Sequence, residues 1–458
     1  MTTSPSTIRV GTGAGFSDDR FEPAADLAEH GKLDYLVFEC LAERTIARET
    51  LSRLKDPEKG YTPYLVERFR SVLPACVKNK VRIVTNMGAA NPAAAARAVR
   101  REARDLGLGD LPVAVVSGDD VADIVRAHPE LRLMENGEPV ESLLPRMASA
   151  NAYLGADAVR DALATGALIA MTGRVADPSL FLGCMLHGLD WRYDDYPRLA
   201  MGTLAGHLME CAAQLTGGCF IDPGKKDAED ATNIGFPYAD VGRDGSLVLG
   251  KLESTGGRLD VQTCSEQILY EMHDPTSYIT PDCVLDITGV EFASLDRHRV
   301  RATGAAARPR TPSYKVVLGY HDGYIGEGEV GYAGPNALAR AKLSEQIVRE
   351  RLKMRGISYP EIRVDYIGMS SLHGMAAYER ASRPEPYEVR LRMAARSPDR
   401  KTAEALGFEI RTLHVNGPAG GGGGTNGVRE VLAVKSLLIP RELVRTGVSL
   451  VNSVEGRS

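Results

Sequence analysis

Two acids, a histidine and an arginine stand where this chain could do proton chemistry. Glu39 follows directly on the strand-like run Asp34 to Phe38 and is succeeded by Cys40. Arg174 and Asp177 lie in TGRVADPS, between the apolar run Ala167 to Met171 and a second apolar segment. His207 belongs to Met201 to Leu215; read as a helix, that stretch puts Thr203, His207, Glu210, Cys211 and Gln214 on one stripe at spacings of three and four. Arginine can hold a carboxylate or carbonyl oxygen with paired N–H bonds. A carboxyl group and an imidazole can exchange a proton with carbon or water near neutral pH. Glu39 and His207 are therefore the candidate acid and base, with Arg174 and Asp177 beside them. Cys40 is an alternative nucleophile, placed below Glu39 because a cysteine at a strand end is more often a small buried residue. Each has a plainer reading: the arginine as a tie at a helix start, the histidine as a hydrogen-bonded member of a core.

The surrounding elements have the alternation of a sheet with covering helices. Apolar runs at 8–12, 34–38, 81–85, 111–116 and 167–171 are short enough for strands buried on both faces. Glu22 to His30 and Pro92 to Leu106 read as helices between them. Asp177-Pro178 reads as a helix entry, the aspartate capping free N–H groups and the proline fitting the first turn. The fold class expected is α/β, with a mainly parallel sheet and covering helices over residues 1–300. Residues 301–312, RATGAAARPRTP, read as a linker. An α+β domain over 313–458 follows, with a strand at 409–415 and a helix at 428–434 flanking five consecutive glycines. Ligands in open α/β sheets bind beyond the carboxyl ends of the strands, where every strand here ends in small and polar residues.

Several of those residues could receive an anion. Gly13 and Gly15 lie in the turn after the first strand, which departs from the dinucleotide fingerprint G-x-G-x-x-G. Asn86, Asp119 and Asn151 add polar groups at later turns. Gly217 precedes the adjacent pair Lys225 and Lys226, a candidate phosphate contact. Asn416 borders the run containing Gly420, Gly421, Gly422 and Gly423, whose successive N–H groups could form an anion nest.

Composition narrows the function classes. The chain has 458 residues, 43% of them hydrophobic and 25% charged, which is ordinary for a soluble protein. A formal charge of −5 without any basic run argues against a nucleic-acid surface. No apolar run approaches the roughly 20 residues of a membrane span, and the polar start MTTSPSTIRV reads as neither a secretion signal nor a transit peptide. The seven cysteines form no C-x-x-C pair, against both a disulfide framework and a structural zinc site. A cytoplasmic setting and no metal are expected. No internal repeat is present.

The motifs GAGFSDDR, DYLVFECLAERT, RIVTNMGAANP, ANAYLGAD, TGRVADPSLF, GTLAGHLMECAAQLTGG and NGPAGGGGG together resemble the acyclic terpene utilisation protein A family. The resemblance runs from Ile8 through about Leu438. It implies a place in the breakdown of acyclic terpenes such as citronellol and geraniol through CoA thioesters, and it carries over no catalytic residue. Some members have an additional small C-terminal domain, which this length does not accommodate in full. The resulting expectation is an enzyme of acyl-CoA or branched carboxylic acid metabolism, a lyase, hydratase or hydrolase. It would bind a small carboxylate or acyl-CoA, with a CoA thioester as candidate substrate and no resident cofactor implied. Neither nucleic acid nor membrane is an expected partner; a homo-oligomer is compatible. A non-catalytic protein that binds acyl-CoA or a carboxylase is the alternative, and would show a pocket with few titratable groups. A nucleotide-dependent enzyme is the third, weakened by the missing phosphate-loop motifs.

Overall fold

The computed structural model describes residues 5–381 and 384–451. The opening residues Met1 to Ser4, part of the start read above, lie outside them. The chain forms two compact units. One comprises the residues up to Gly319 together with those from Val434 onward, the other Tyr320–Ala433.

In the first unit β1 (Thr7–Ala14), β2 (Tyr35–Phe38), β3 (Arg82–Thr85), β4 (Val113–Ser117), β5 (Met147–Ala152) and β6 (Ile169–Met171) follow one another. β1, β2, β3, β6 and β4 lie side by side in that order, and all four pairings are parallel. These are the five runs read as strands, and their carboxyl ends share one edge. Their central members are buried throughout, as strands covered on both faces must be. On one face Leu36, Phe38 and Ile83 pack with Leu27, Phe69, Val72 and Val99, from helices Glu22–His30, Leu65–Asn79 and Pro92–Asp105. Tyr35 points the other way, its hydroxyl 2.8 Å from His187 Nδ1 in helix Asp177–Gly188.

The sheet as a whole is mixed. β7 (Pro237–Gly242) joins β1 antiparallel, then β8 (Leu247–Lys251) joins β7. The short β9 (Tyr278–Ile279) and β10 (Cys283–Asp286) stand outside it. β11 (Glu291–Asp296) and β12 (Arg299–Thr303) extend it past β8, and β13 (Ala306–Pro309) pairs with β10. The stretch 301–312 is thus largely strand and not a linker. Its small residues give no apolar period, but Val300 and Ala302 are buried and their neighbours exposed, the alternation of a half-covered ribbon.

The second unit has a simpler plan. β14 (Ser313–Ala333) carries the chain into it. Helix Ala337–Met354, β15 (Glu361–Ile367), β16 (Glu388–Ser397), helix Arg400–Asn416 and β17 (Gly422–Pro440) follow. Strand order β15-β16-β14-β17 with the two long helices packed on it is a split β-α-β arrangement, an α+β sandwich; a short third helix, Met375–Arg380, lies between β15 and β16. Residues 409–415, expected as a strand, are the end of a helix. Ala403, Leu406, Ile410 and Leu413 recur at helical spacing and are buried, and Asp399 caps the start by accepting the Thr402 N–H at 2.8 Å. Residues 428–434, expected as a helix, are part of β17; pairing along the sheet overrides the helix preference of their Glu, Leu and Ala. Finally β18 (Gly447–Val451), back in the first unit, adds antiparallel to β4 and completes a ten-stranded sheet. The sequence drew the boundary at 300–313 with all later residues in one domain; the chain crosses at Tyr320 and returns at Val434.

Helices Asp177–Gly188 and Tyr196–Met209 pack closely. Tyr196–Met209 ends earlier than the periodicity suggested, with a 3-10 turn at Ala212–Gln214. A Cβ on Gly206 would lie 2.5 Å from the Pro178 carbonyl oxygen. Glycine-to-alanine in a helix interior normally stabilises by about 1 kcal/mol, but here the obstacle is backbone. Gly206→Ala is expected to destabilise by about 1–3 kcal/mol, read as a lower denaturant midpoint. A midpoint at or above that of the parent would show that the two helices can part.

Candidate active site

A cavity of about 800 Å³ opens at the carboxyl edge of the parallel strands. Gly15 from the end of β1, Glu39 after β2, and Arg174, Ala176 and Asp177 after β6 form its floor. Glu210, Cys211 and the segment from Tyr270 to Pro281 supply another side. Leu41, Pro178, Met272, Ile279 and Leu438 give it apolar surface among the acids.

Glu39 sits at the centre of a buried network. Its Oε1 accepts from Leu41 N–H and from Asn86 Nδ2, both at 2.9 Å, while Asn86 Oδ1 accepts from Cys40 N–H at 2.8 Å. Burial raises the carboxyl to about 8, and Asp177 nearby pushes the same way, against Arg174 and the two donors. Burial thus favours the protonated form of Glu39.

Arg174 is only 2% exposed. Its guanidinium donates to the Leu41 carbonyl, pairs with Asp177 Oδ1 at 2.9 Å, and lies 4.1 Å from the centre of the Tyr153 ring. Glu39 Oε1 is 3.9 Å away. Asp119 Oδ2 accepts the Arg174 backbone N–H at 2.9 Å and Asn151 Nδ2 at 3.0 Å; burial lifts Asp119 to about 6. The arginine thus braces the cavity wall. Asp177 does not cap its helix: it pairs with Arg174 from the first turn, a third of its side chain exposed, and burial raises its carboxyl.

His207 does not line the cavity. It is 1% exposed, its Nε2 3.1 Å from the Ile268 carbonyl and its Nδ1 3.1 Å from Glu210 Oε1. A carbonyl can only accept, so Nε2 carries a proton. Nδ1 and Glu210 then share one further proton, as imidazole and acid or as imidazolium and carboxylate, and the pair titrates as a unit. Burial alone would push His207 down; the Glu210 contact reverses this and leaves it raised. Burial lifts Glu210 to about 7. Its Oε2 has no hydrogen-bond partner, and Glu210 is the member that faces the cavity. The spacing of three along one helix was the signal for this pair; which of the two faces the cavity was not legible.

Other sequence candidates are placed elsewhere. Cys40 is buried behind the wall and its thiol is pushed up by burial, so it is no thiolate near neutrality. Gly13 permits close packing, since a Cβ there would meet the Phe38 ring at 2.4 Å. The Gly15 N–H donates to Asp19 Oδ2 at 2.9 Å, and a Cβ on Gly15 would lie 2.6 Å from the Cys211 backbone. Gly217, at φ +117°, makes a turn. Lys225 and Lys226 pair with Asp222 at 3.3 Å and Glu266 at 2.8 Å. None of these three lines the large cavity. Asn416 and Gly420, Gly421, Gly422 and Gly423 belong to the second unit; Asn416 donates to the Thr412 carbonyl at 3.1 Å and the glycines turn the chain into β17. The sequence missed Glu43, Glu271 and Lys315, which also line the cavity. Among the described residues no group of three or more His, Cys, Asp or Glu is arranged to hold a metal ion, and no helix is long and apolar enough to cross a membrane.

The fold and site are those of an α/β protein with an acid-lined pocket at the end of its parallel strands. The chain belongs to the acyclic terpene utilisation family: the model described as acyclic terpene utilisation family protein AtuA matches residues 8–450. No curated protein and no solved structure matches it.

Glu39 provides a check through pH. Its folded value of about 8 stands above the ordinary 4.5, so the folded state holds the proton more tightly than the unfolded chain. The resulting stabilisation is complete below about 4.5 and is lost as pH rises towards about 8. Glu39→Gln is expected to flatten the fall of unfolding free energy between those limits, measured by denaturant titration at several pH values. An unchanged slope would show that Glu39 is ionised in the folded protein.

Proposed function

We propose that this protein is an acid–base enzyme of acyclic terpene or related branched-acid breakdown, acting on a neutral acyl derivative, an acyl thioester, in the hydratase or lyase class. The observation that carries this is the pair of differently held carboxyl groups in one cavity: Glu39 kept protonated, Glu210 sharing its proton with His207. Two carboxyls whose surroundings set them apart are suited to the roles of acid and base. In the dehydration direction, Glu210 takes a proton from the carbon next to the thioester carbonyl. The electron pair forms the new double bond as the β-hydroxyl leaves, and Glu39 protonates it to water. Hydration is the reverse. The acid-rich wall favours a substrate without a free carboxylate at this point, which is why a thioester suits it better than the free acid. A hydrolytic route through Cys40 is disfavoured by that thiol's burial. The cavity's acids also count against a purely binding role, for which few titratable groups are expected. The close packing at Gly13 and Gly15 counts against a nucleotide turn. No resident cofactor enters this scheme, and seven free cysteines suit a reducing cytoplasm.

The test is proton exchange. Branched 3-hydroxyacyl and enoyl thioesters incubated in deuterium oxide are expected to gain deuterium at the α-carbon, followed by mass spectrometry. Glu39→Gln should abolish water loss but keep α-exchange; Glu210→Gln should lower both by about 10² to 10⁴, the usual contribution of general acid–base catalysis. Both variants should still fold and unfold cooperatively. Exchange by wild type that is indifferent to Glu210→Gln would refute the assignment.

A further inference from the structure

A second, smaller cavity of about 190 Å³ lies beside the first, lined by Gln214, Phe220, Thr263, Gln267 and Tyr270 among others. Gln267 ends the helix Val261–Gln267, which is held at its start by a reciprocal Asp260–Thr263 capping box. Its side chain is 1% exposed, yet neither the amide oxygen nor the amide nitrogen has a hydrogen-bond partner. A buried primary amide left this way is costly, and native proteins seldom keep one without a reason. Beside it, Phe220 is fixed by cations over its ring, Lys226 at 4.9 Å and Arg258 at 5.2 Å. Tyr270 lines both cavities.

We infer that the small cavity is a binding site for a secondary amide of an extended carrier arm, with Gln267 as its hydrogen-bonding partner. A carboxamide carries both a donor and an acceptor, and a secondary amide carries both as well, so it can meet either of them; a phosphate would use only the donor and a cation only the acceptor. This rests on the reading of the substrate as an acyl thioester. An arm of the pantetheine type, with two secondary amides and a terminal sulfur, would place one amide at Gln267 and its sulfur past Tyr270 towards the acids.

Pantetheine itself is the probe, titrated calorimetrically into the full chain. It is expected to bind wild type, and Gln267→Leu, close in volume and without the amide, should weaken it tenfold or more. That variant should melt no lower than wild type, because it removes an unsatisfied buried group. Should it fail to fold, Leu269→Trp narrows the same cavity from a residue 60% exposed and should also weaken pantetheine. The inference is overturned if pantetheine does not bind, or binds the foldable variant as tightly as wild type. If, in addition, amide-free S-ethyl thioesters exchange deuterium as well as pantetheine thioesters do, the acid–base reading survives and only the amide site falls. Gln267-dependent pantetheine binding without any exchange would sustain the site and remove the acid–base reading.

Discussion

The buried guanidinium of Arg174 is the interaction on which the rest of the site depends. It stands at the end of a parallel strand with its backbone N–H on Asp119, its side chain on the Leu41 carbonyl and Asp177, and its flat face on Tyr153. Those contacts tie together segments that leave three different strands and one helix. A charge so buried is tolerable only because a carboxylate and a carbonyl answer it, and removing it would leave Asp177 without its counter-charge. Its role is to hold acids close together.

Closeness of acids under burial raises their affinity for protons. Each of Glu39, Asp177 and Glu210 is raised first by loss of water, and neighbouring carboxyls add to that. The partners then separate them. Glu39 stays raised despite two donors, whereas Glu210 has an imidazole behind it whose other nitrogen is pinned to the Ile268 carbonyl. A cavity with acids that hold protons at neutral pH can supply them to a leaving oxygen, and a carboxyl backed by histidine can take one up. Small residues make this possible at the backbone level: Gly15 brings the first strand's turn against Cys211, next in sequence to Glu210.

The residues behind the wall have a different task from the one their types suggest. Asn86, Asp119 and Asn151 look like a polar lining, but they orient Glu39 and Arg174 from within the protein. His207 likewise lies behind the wall, bonded to Glu210. The second unit is a separate α+β sandwich in which Arg392 lies against Glu327 and Asp365 across neighbouring strands, a charged sheet face opposite the one packed by its helices.

What the sequence by itself determined was whatever depends on neighbours along the chain. Short apolar runs ending in Glu39, Asn86, Asp119 and Arg174 suit strands of a sheet buried on both faces, and parallel pairing then sends those ends to one edge. The pair His207 and Glu210 was visible for the same reason, since a spacing of three on a helix is local. The nearly full-length motif pattern also sufficed for the family. Tertiary structure decided the rest. Whether 409–415 was helix or strand turned on packing against β16, and whether 301–312 was a linker turned on pairing with β8 and β10. It decided that Glu210 and not His207 faces the cavity, and that Arg174 is engaged by the protein itself. Burial and hydrogen-bond partners come from segments far apart in the chain, and they alone determine which acid keeps its proton.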